Sequence, residues 1–334
     1  MKLVNHTPFP AMVFEAHDPN DRALHVLVLR ATLEHRPEGL RLSRQQRPLT
    51  LGDEHYGDPA VTAPREESDL APYKPTTDIL VRGTARAPRG TSLPAWEVSA
   101  RVGAIEKRVR VTGARKWVRA GGAWTLTEPA PCESVPLRYE LAYGGTARDG
   151  EREERCEENP VGVGFAPAWW RDGRDEITAP QIESPDDPLR DLDRAITPAG
   201  VGAVGKAWLP RRTFAGTYDD AWVRERWPVL PPDFDARFWN CASPGLIAPS
   251  YLRGDEAVTL TGVHPDGAWS CTLPGHKVFV LVRLESGAMV PFDMNLDTLT
   301  LCPDTREVSM AWRFVAPVEP PIRVLEARMI FQKP

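Results

Sequence analysis

Seven histidines and five cysteines are the groups from which a metal centre or a nucleophile would most readily be built. The histidines (His6, His17, His25, His35, His55, His264 and His276) never stand as His-x-His or His-x-x-x-His, the spacings that aim two imidazoles at one ion. The cysteines (Cys132, Cys156, Cys241, Cys271 and Cys302) are odd in number and form no Cys-x-x-Cys pair. Free thiols in a reducing compartment are expected, not a disulfide framework or a zinc knuckle. No Gly-x-Ser-x-Gly nucleophile elbow occurs. Gly200-Val201-Gly202-Ala203-Val204-Gly205 matches the dinucleotide-binding glycines by letters alone. That chemistry needs a buried strand before the glycines and a helix after them. Pro198 stands just ahead and Pro210 ends any helix within five residues, so a structural loop is expected. The strongest case for catalysis is carboxylates beside aromatics, as in Asp219-Asp220-Ala221-Trp222 and Asp233-Phe234-Asp235 among eleven tryptophans. A glycosidase needs two carboxylates facing each other about 5–10 Å apart, and composition is a weak warrant for that geometry. No catalytic, cofactor or metal site is expected; a carbohydrate-binding or carbohydrate-active β protein is the alternative.

The elements that would carry these residues are strands. Proline occurs 34 times in 334 residues, about twice the usual share of roughly 5%, and each one removes a backbone donor and blocks a helix interior. Val26-Leu27-Val28-Leu29 reads as a buried strand turning at Pro37-Glu38-Gly39. Trp96, Val98, Ala100 and Val102 alternate onto one face, Val109 and Val111 oppose Arg108 and Arg110, and Gly121-Gly122 marks a hairpin. Later strands are expected at Val258 to Val263, Trp269 to Leu273, Val278 to Leu284, Leu299 to Cys302, Val308 to Phe314 and Val324 to Phe331. The fold class is therefore all-β, mainly antiparallel and sandwich- or barrel-like, with long ordered loops and few short helices. By character the chain divides into an N-terminal β region (1–128), a loop-rich middle anchored by aromatics (129–250) and a C-terminal β region (251–334). The two β regions could equally form one domain jointly. One helix of at most two turns is expected between Thr217 and Pro228, capped by Thr217.

Charge narrows the partners. The formal net charge is −5, which supplies no field for nucleic acid. No signal peptide is expected at Met1-Lys2-Leu3-Val4-Asn5, and no apolar run approaches the ~18 residues of a membrane span. A cytoplasmic protein is expected. A basic ribbon runs from Arg101 to Arg119 and an acidic segment from Glu133 to Asp193, so the ribbon is either a solvated face, a face against that segment, or a site for an acidic partner.

Longer words of the chain resemble a bacterial family. They are Asp69-Leu70-Ala71-Pro72-Tyr73-Lys74-Pro75-Thr76-Thr77-Asp78, Gly113-Ala114-Arg115-Lys116-Trp117, Pro136-Leu137-Arg138-Tyr139-Glu140-Leu141-Ala142-Tyr143-Gly144-Gly145 and Asn159-Pro160-Val161-Gly162-Val163-Gly164. Pro180-Gln181-Ile182-Glu183, Pro210-Arg211, Gly216-Thr217-Tyr218-Asp219, Trp222, Pro231-Pro232-Asp233-Phe234-Asp235, Gly254-Asp255-Glu256, Asp297-Thr298 and Trp312-Arg313 continue the series. In these the chain resembles the domain of unknown function 2169 family, encoded with type VI secretion effectors and with Pro-Ala-Ala-Arg-repeat (PAAR) proteins that tip the secretion spike. The resemblance implies an adaptor or chaperone that binds an effector, its PAAR protein or the spike trimer, without enzymatic activity or cofactor. It assigns no binding residues. The motif positions Lys74, Asp78, Arg115, Trp117, Tyr139, Glu140, Asn159, Arg211, Thr217, Tyr218, Asp219, Trp222, Asp233 and Asp235 are candidates for partner contact or for structure. Lys74, Asp78, Arg115, Tyr139, Glu140, Arg211, Tyr218 and Asp219 are expected in a buried hydrogen-bonded network that holds the middle loops. Truncating Tyr218, as a packed aromatic, is expected to cost ~3–5 kcal/mol.

Overall fold

Val26, Leu27, Val28 and Leu29 are fully buried in Ala23–Arg36, the longest strand of the protein. The computed structural model describes residues 1–194 and 196–331; the last three positions of the 251–334 region lie outside the described residues. Strand accounts for 44% of the chain and helix for 8%, which makes the fold all-β with mainly antiparallel sheets and a few short helices.

Ala23–Arg36 belongs to a six-stranded sheet. Its order is Ala11–His17, Ala23–Arg36, Glu307–Pro317, Asn295–Cys302 and Asp78–Val81, and Gly39–Leu42 folds back on the end of Ala23–Arg36. All neighbours are antiparallel except Asn295–Cys302 with Asp78–Val81. Register gives this sheet two unlike faces. Leu29 lies opposite Trp312, Ala31 opposite Met310, and Met310 opposite Leu299, which makes an apolar face. One residue along, Arg30 lies opposite Ala311, Thr32 opposite Ser309, and Ser309 opposite Thr300. That second face is polar and nonetheless buried.

A five-stranded sheet runs in the order Ile182–Glu183, Ile105–Thr112, Ala95–Val102, Ala257–Thr261 and Trp269–Thr272. Its inward side chains are the alternating Trp96, Val98, Ala100, Val102, Val109 and Val111. A four-stranded sheet contains Lys2–Asn5, Ile322–Ile330, Lys277–Leu284 and Met289–Asp293. Strands of 1–128 and of 251–334 thus pair directly in all three sheets. Their apolar faces share one core, and a smaller core gathers Trp117, Ala166, Ile177, Ala179 and Leu189.

Turn chemistry works as residue type requires. Gly121 and Gly122 take φ of 60° and 85° between Lys116–Ala120 and Ala123–Leu126, the left-handed pair that a two-residue hairpin demands. The Gly200–Gly205 loop has another use for its glycines. A Cβ on Gly200 would lie 2.5 Å from the Tyr139 ring, and one on Gly205 2.7 Å from the Trp208 indole. These two rings meet edge to face at 5.5 Å, so the glycines admit aromatic packing; the next helical element is the five-residue 3-10 turn Arg211–Ala215 behind Pro210.

The cap of the short helix differs from the sequence reading. The helix spans Asp220–Glu225, and Asp219, not Thr217, caps it by accepting from the Trp222 backbone N–H. Thr217 instead donates its N–H and hydroxyl to Asp233 at 3.0 and 2.8 Å. Met289–Asp293 is a strand despite Pro291, because it pairs on one side only, where a missing donor faces outward.

Candidate functional site

The polar face of the central sheet is where the family words meet. Arg30 interrupts an apolar strand and turns its guanidinium onto this face. It reaches Ser309 Oγ at 2.8 Å, Thr50 Oγ1 at 2.9 Å and Asp69 at 3.2 Å, and it pairs with Glu66. Two positions further into the sheet, Arg313 bonds Asp297 at 2.6 Å and the Asp69 carbonyl at 2.9 Å. The segment carrying Glu66, Asp69 and Lys74 therefore lies across the face, held by charge.

Lys74 and Asp78 continue the arrangement. The ammonium donates to Asp78 at 2.8 Å and to Thr298 Oγ1 at 3.0 Å. Asp78, with no exposed surface, also accepts from the backbone N–H groups of Cys241 and Ala242 at 3.0 Å each and from Asn240 Nδ2 at 3.1 Å. Burial alone would raise this carboxyl; Lys74 and the two backbone donors hold it below the ordinary carboxylate range. One side chain thereby fastens residues 240–242 of the middle region to the edge strand Asp78–Val81.

Arg211 fastens the next loop. Its side chain bonds Glu67, the Phe238 carbonyl at 2.7 Å and the Val204 carbonyl at 2.8 Å. Arg115 bonds Glu183 at 2.6 Å, both buried, and Trp117 packs in the small core beside them. The Tyr139 hydroxyl donates to Ser243, which donates to the Gly200 carbonyl, and Asn159 donates to the carbonyls of Tyr139 and Tyr143. Glu140 accepts the Ala63 N–H at 3.1 Å. Six of the eight residues expected in a buried network are thus brought into buried or partly buried hydrogen bonds.

Tyr218 and Asp219 correct that expectation. Tyr218 is 51% exposed and touches Trp222 edge to face at 4.7 Å, while Asp219 is an exposed helix cap. The 3–5 kcal/mol expected for truncating Tyr218 falls with them, because that figure applies to a ring packed on all sides; an edge-on pair contributes about 1 kcal/mol. Thr217, Trp222, Asp233 and Asp235 sit in the same lobe, where Asp235 accepts from Arg237. The lobe shows solvent three apolar side chains: Tyr218, Val223 at 59% and Trp227 at 68% exposure.

The carboxylates, amide and hydroxyl that complete the network (Glu66, Glu67, Asn240, Ser243) escaped the sequence reading, and Glu183, read in one of the family words, was not among its candidates. Arg30 within Val-Leu-Val-Leu-Arg-Ala-Thr-Leu was the available signal, since an arginine inside an apolar strand needs a buried acid. What remains between Arg30, Asp69, Lys74, Thr298 and Arg313 is a cavity of about 20 Å³, room for a single water. Among the described residues no group of three or more His, Cys, Asp or Glu side chains is placed to hold a metal ion. No helix among the described residues is long and apolar enough to cross a membrane.

A family model described as "Uncharacterized protein conserved in bacteria (DUF2169)" matches residues 20–313. The chain belongs to this family. Neither curated proteins nor solved structures match it. In this DUF2169 chain the matched span takes in every candidate from Lys74 to Asp235 and ends on Arg313, the partner of Asp297.

The network has a pH signature. Burial would raise the Glu66 carboxyl, but the Arg30 and Arg82 cations hold it at about 2 against an ordinary 4.5. A carboxylate depressed by folding contributes stability above its unfolded value and loses it as pH falls through the folded value. The Glu66 contribution is therefore present above pH 4.5 and lost between 4.5 and about 2. Asp69, which burial pushes up despite Arg30, works in the opposite sense and offsets part of it. Glu66→Gln should flatten the acid limb of a tryptophan-fluorescence stability curve in that window. An unchanged limb would assign acid sensitivity elsewhere.

Proposed function

We propose that this DUF2169 chain is a non-enzymatic adaptor that grips a type VI secretion effector or its PAAR protein and promotes loading onto the spike. The observation that carries the reading is the division of labour among the motif residues. Lys74, Asp78, Arg115 and Arg211 are spent inside, on buried ion pairs, and the space left between Lys74, Arg30 and Arg313 is only about 20 Å³. The network they form supports a lobe that offers Tyr218, Val223 and Trp227 to solvent. Exposed tyrosine and tryptophan on a rigid base are the usual centre of a protein–protein contact, since they bury much area at little entropic cost. The carboxylates that favoured a sugar cleft are engaged locally: Asp233 by Thr217, Asp235 by Arg237, and Asp219 by the helix N-terminus.

Co-expression with a genetically adjacent PAAR protein should give a complex that survives purification. A client equally soluble and equally secreted without this chain would contradict the proposal.

A further inference from the structure

Six separate segments converge at the end of the parallel pair Asp78–Val81 and Asn295–Cys302, around an open cleft of about 240 Å³. Four arginines line it, Arg47, Arg65, Arg82 and Arg138, against two carboxylates, Asp304 and Glu307. In a chain of net charge −5 this is a local reversal of sign. Both carboxylates are already engaged. Glu307 pairs with Arg47, and Asp304 accepts from Thr84 at 2.8 Å and faces Arg86 at 3.5 Å. Arg65 and Arg82 pair behind the cleft with Glu54 and Glu66.

Two features of this ring remain unanswered within the protein. Arg138 has no carboxylate partner among the described residues; its guanidinium carbon lies over the Tyr56 ring, 4.0 Å from the centroid. A cation–π contact uses none of the guanidinium's N–H groups as hydrogen-bond donors to a carboxylate, which leaves them for a ligand. Arg82, at the base, has a buried Nε with no acceptor among the described residues, although buried donors are ordinarily satisfied. Planar forks of this kind match the paired oxygens of a carboxylate or a phosphate.

We propose that this cleft is an oxyanion-binding site, with Arg138 as the principal ligand contact and Tyr56 as the platform that orients it. The ligand presents a carboxylate or a phosphate small enough to enter between Arg65, Arg82 and Arg138. The site goes beyond the adaptor reading and uses none of the lobe residues on which that reading rests.

Calorimetric titration of the full chain at low salt with two probes, inorganic pyrophosphate and an acetylated triglutamate peptide, tests it. At least one should bind with one-to-one stoichiometry. Binding of pyrophosphate alone identifies the source as phosphate, and binding of the peptide alone as a polypeptide carboxylate. Arg138→Gln breaks no ion pair of the cleft and should weaken binding about tenfold or more, the loss of one charge-assisted contact, with an unchanged melting temperature. Arg138→Lys keeps the charge without the fork and should recover only part of the affinity. Failure of both probes to bind the wild-type chain, or equal binding by wild type and Arg138→Gln, would overturn the proposal.

Discussion

Asp78→Ala should destabilise the protein by about 3–5 kcal/mol, the range for removing one partner of a buried ion pair. The carboxylate is completely buried and accepts from Lys74, from Asn240 and from the backbone N–H groups of Cys241 and Ala242. Alanine strands an ammonium that is itself only 6% exposed and leaves two backbone donors without an acceptor. The double variant Lys74→Met/Asp78→Ala removes the stranded charge and should recover part of the loss, but not the part due to Cys241 and Ala242. Urea denaturation of wild type, both single variants and the double variant measures the coupling directly. A loss below about 1 kcal/mol for Asp78→Ala would show that the network carries little of the fold's stability.

Arg211→Ala is the second large effect, again of about 3–5 kcal/mol by the same reasoning, because Glu67 would be left nearly buried and uncompensated. Its consequence should be regional as well as global. Arg211 joins the Val204 and Phe238 carbonyls, so backbone amides around residues 204–240 should exchange faster, while those of Ala23–Arg36 keep their rank as the slowest. Arg211→Lys should not rescue the variant, since a single ammonium cannot serve Glu67 and two carbonyls in the planar geometry of a guanidinium. Uniform exchange across the chain, or full rescue by lysine, would contradict the assigned role.

The strands were legible wherever apolar residues alternate beside a turn signal. Ala95–Val102 with Ile105–Thr112, and the Gly121-Gly122 hairpin, follow from side-chain period and glycine φ alone. The four-residue edge strand Lys2–Asn5 was not, because pairing with the distant Ile322–Ile330 decides it and nothing local does; Pro291 hid the other, although its partner Lys277–Leu284 is the neighbouring strand. The same limit applied to the network. Sequence words singled out Lys74, Asp78, Arg115 and Arg211 as unusual, but their answering groups Thr298, Asn240, Glu183 and Glu67 come from distant segments. Tyr218 and Asp219 were misread for a related reason. Both stand in the same series of words as the buried Arg211, and a word reports that positions matter without saying which way a side chain faces. The parallel pairing of Asp78–Val81 with Asn295–Cys302, which gathers the arginine cleft, had no local sign at all.

A pull-down of a PAAR protein, the partner proposed for this chain, by the Tyr218→Ala/Trp227→Ala variant, alongside its thermal melt, most directly examines the separation of inner scaffold from outer contact surface. Surface truncations with an edge-on pair at stake should change stability by no more than about 1 kcal/mol, while capture of the client is abolished. Undiminished capture with an unchanged melt would mean that the aromatic lobe is not where this protein takes hold of its partner.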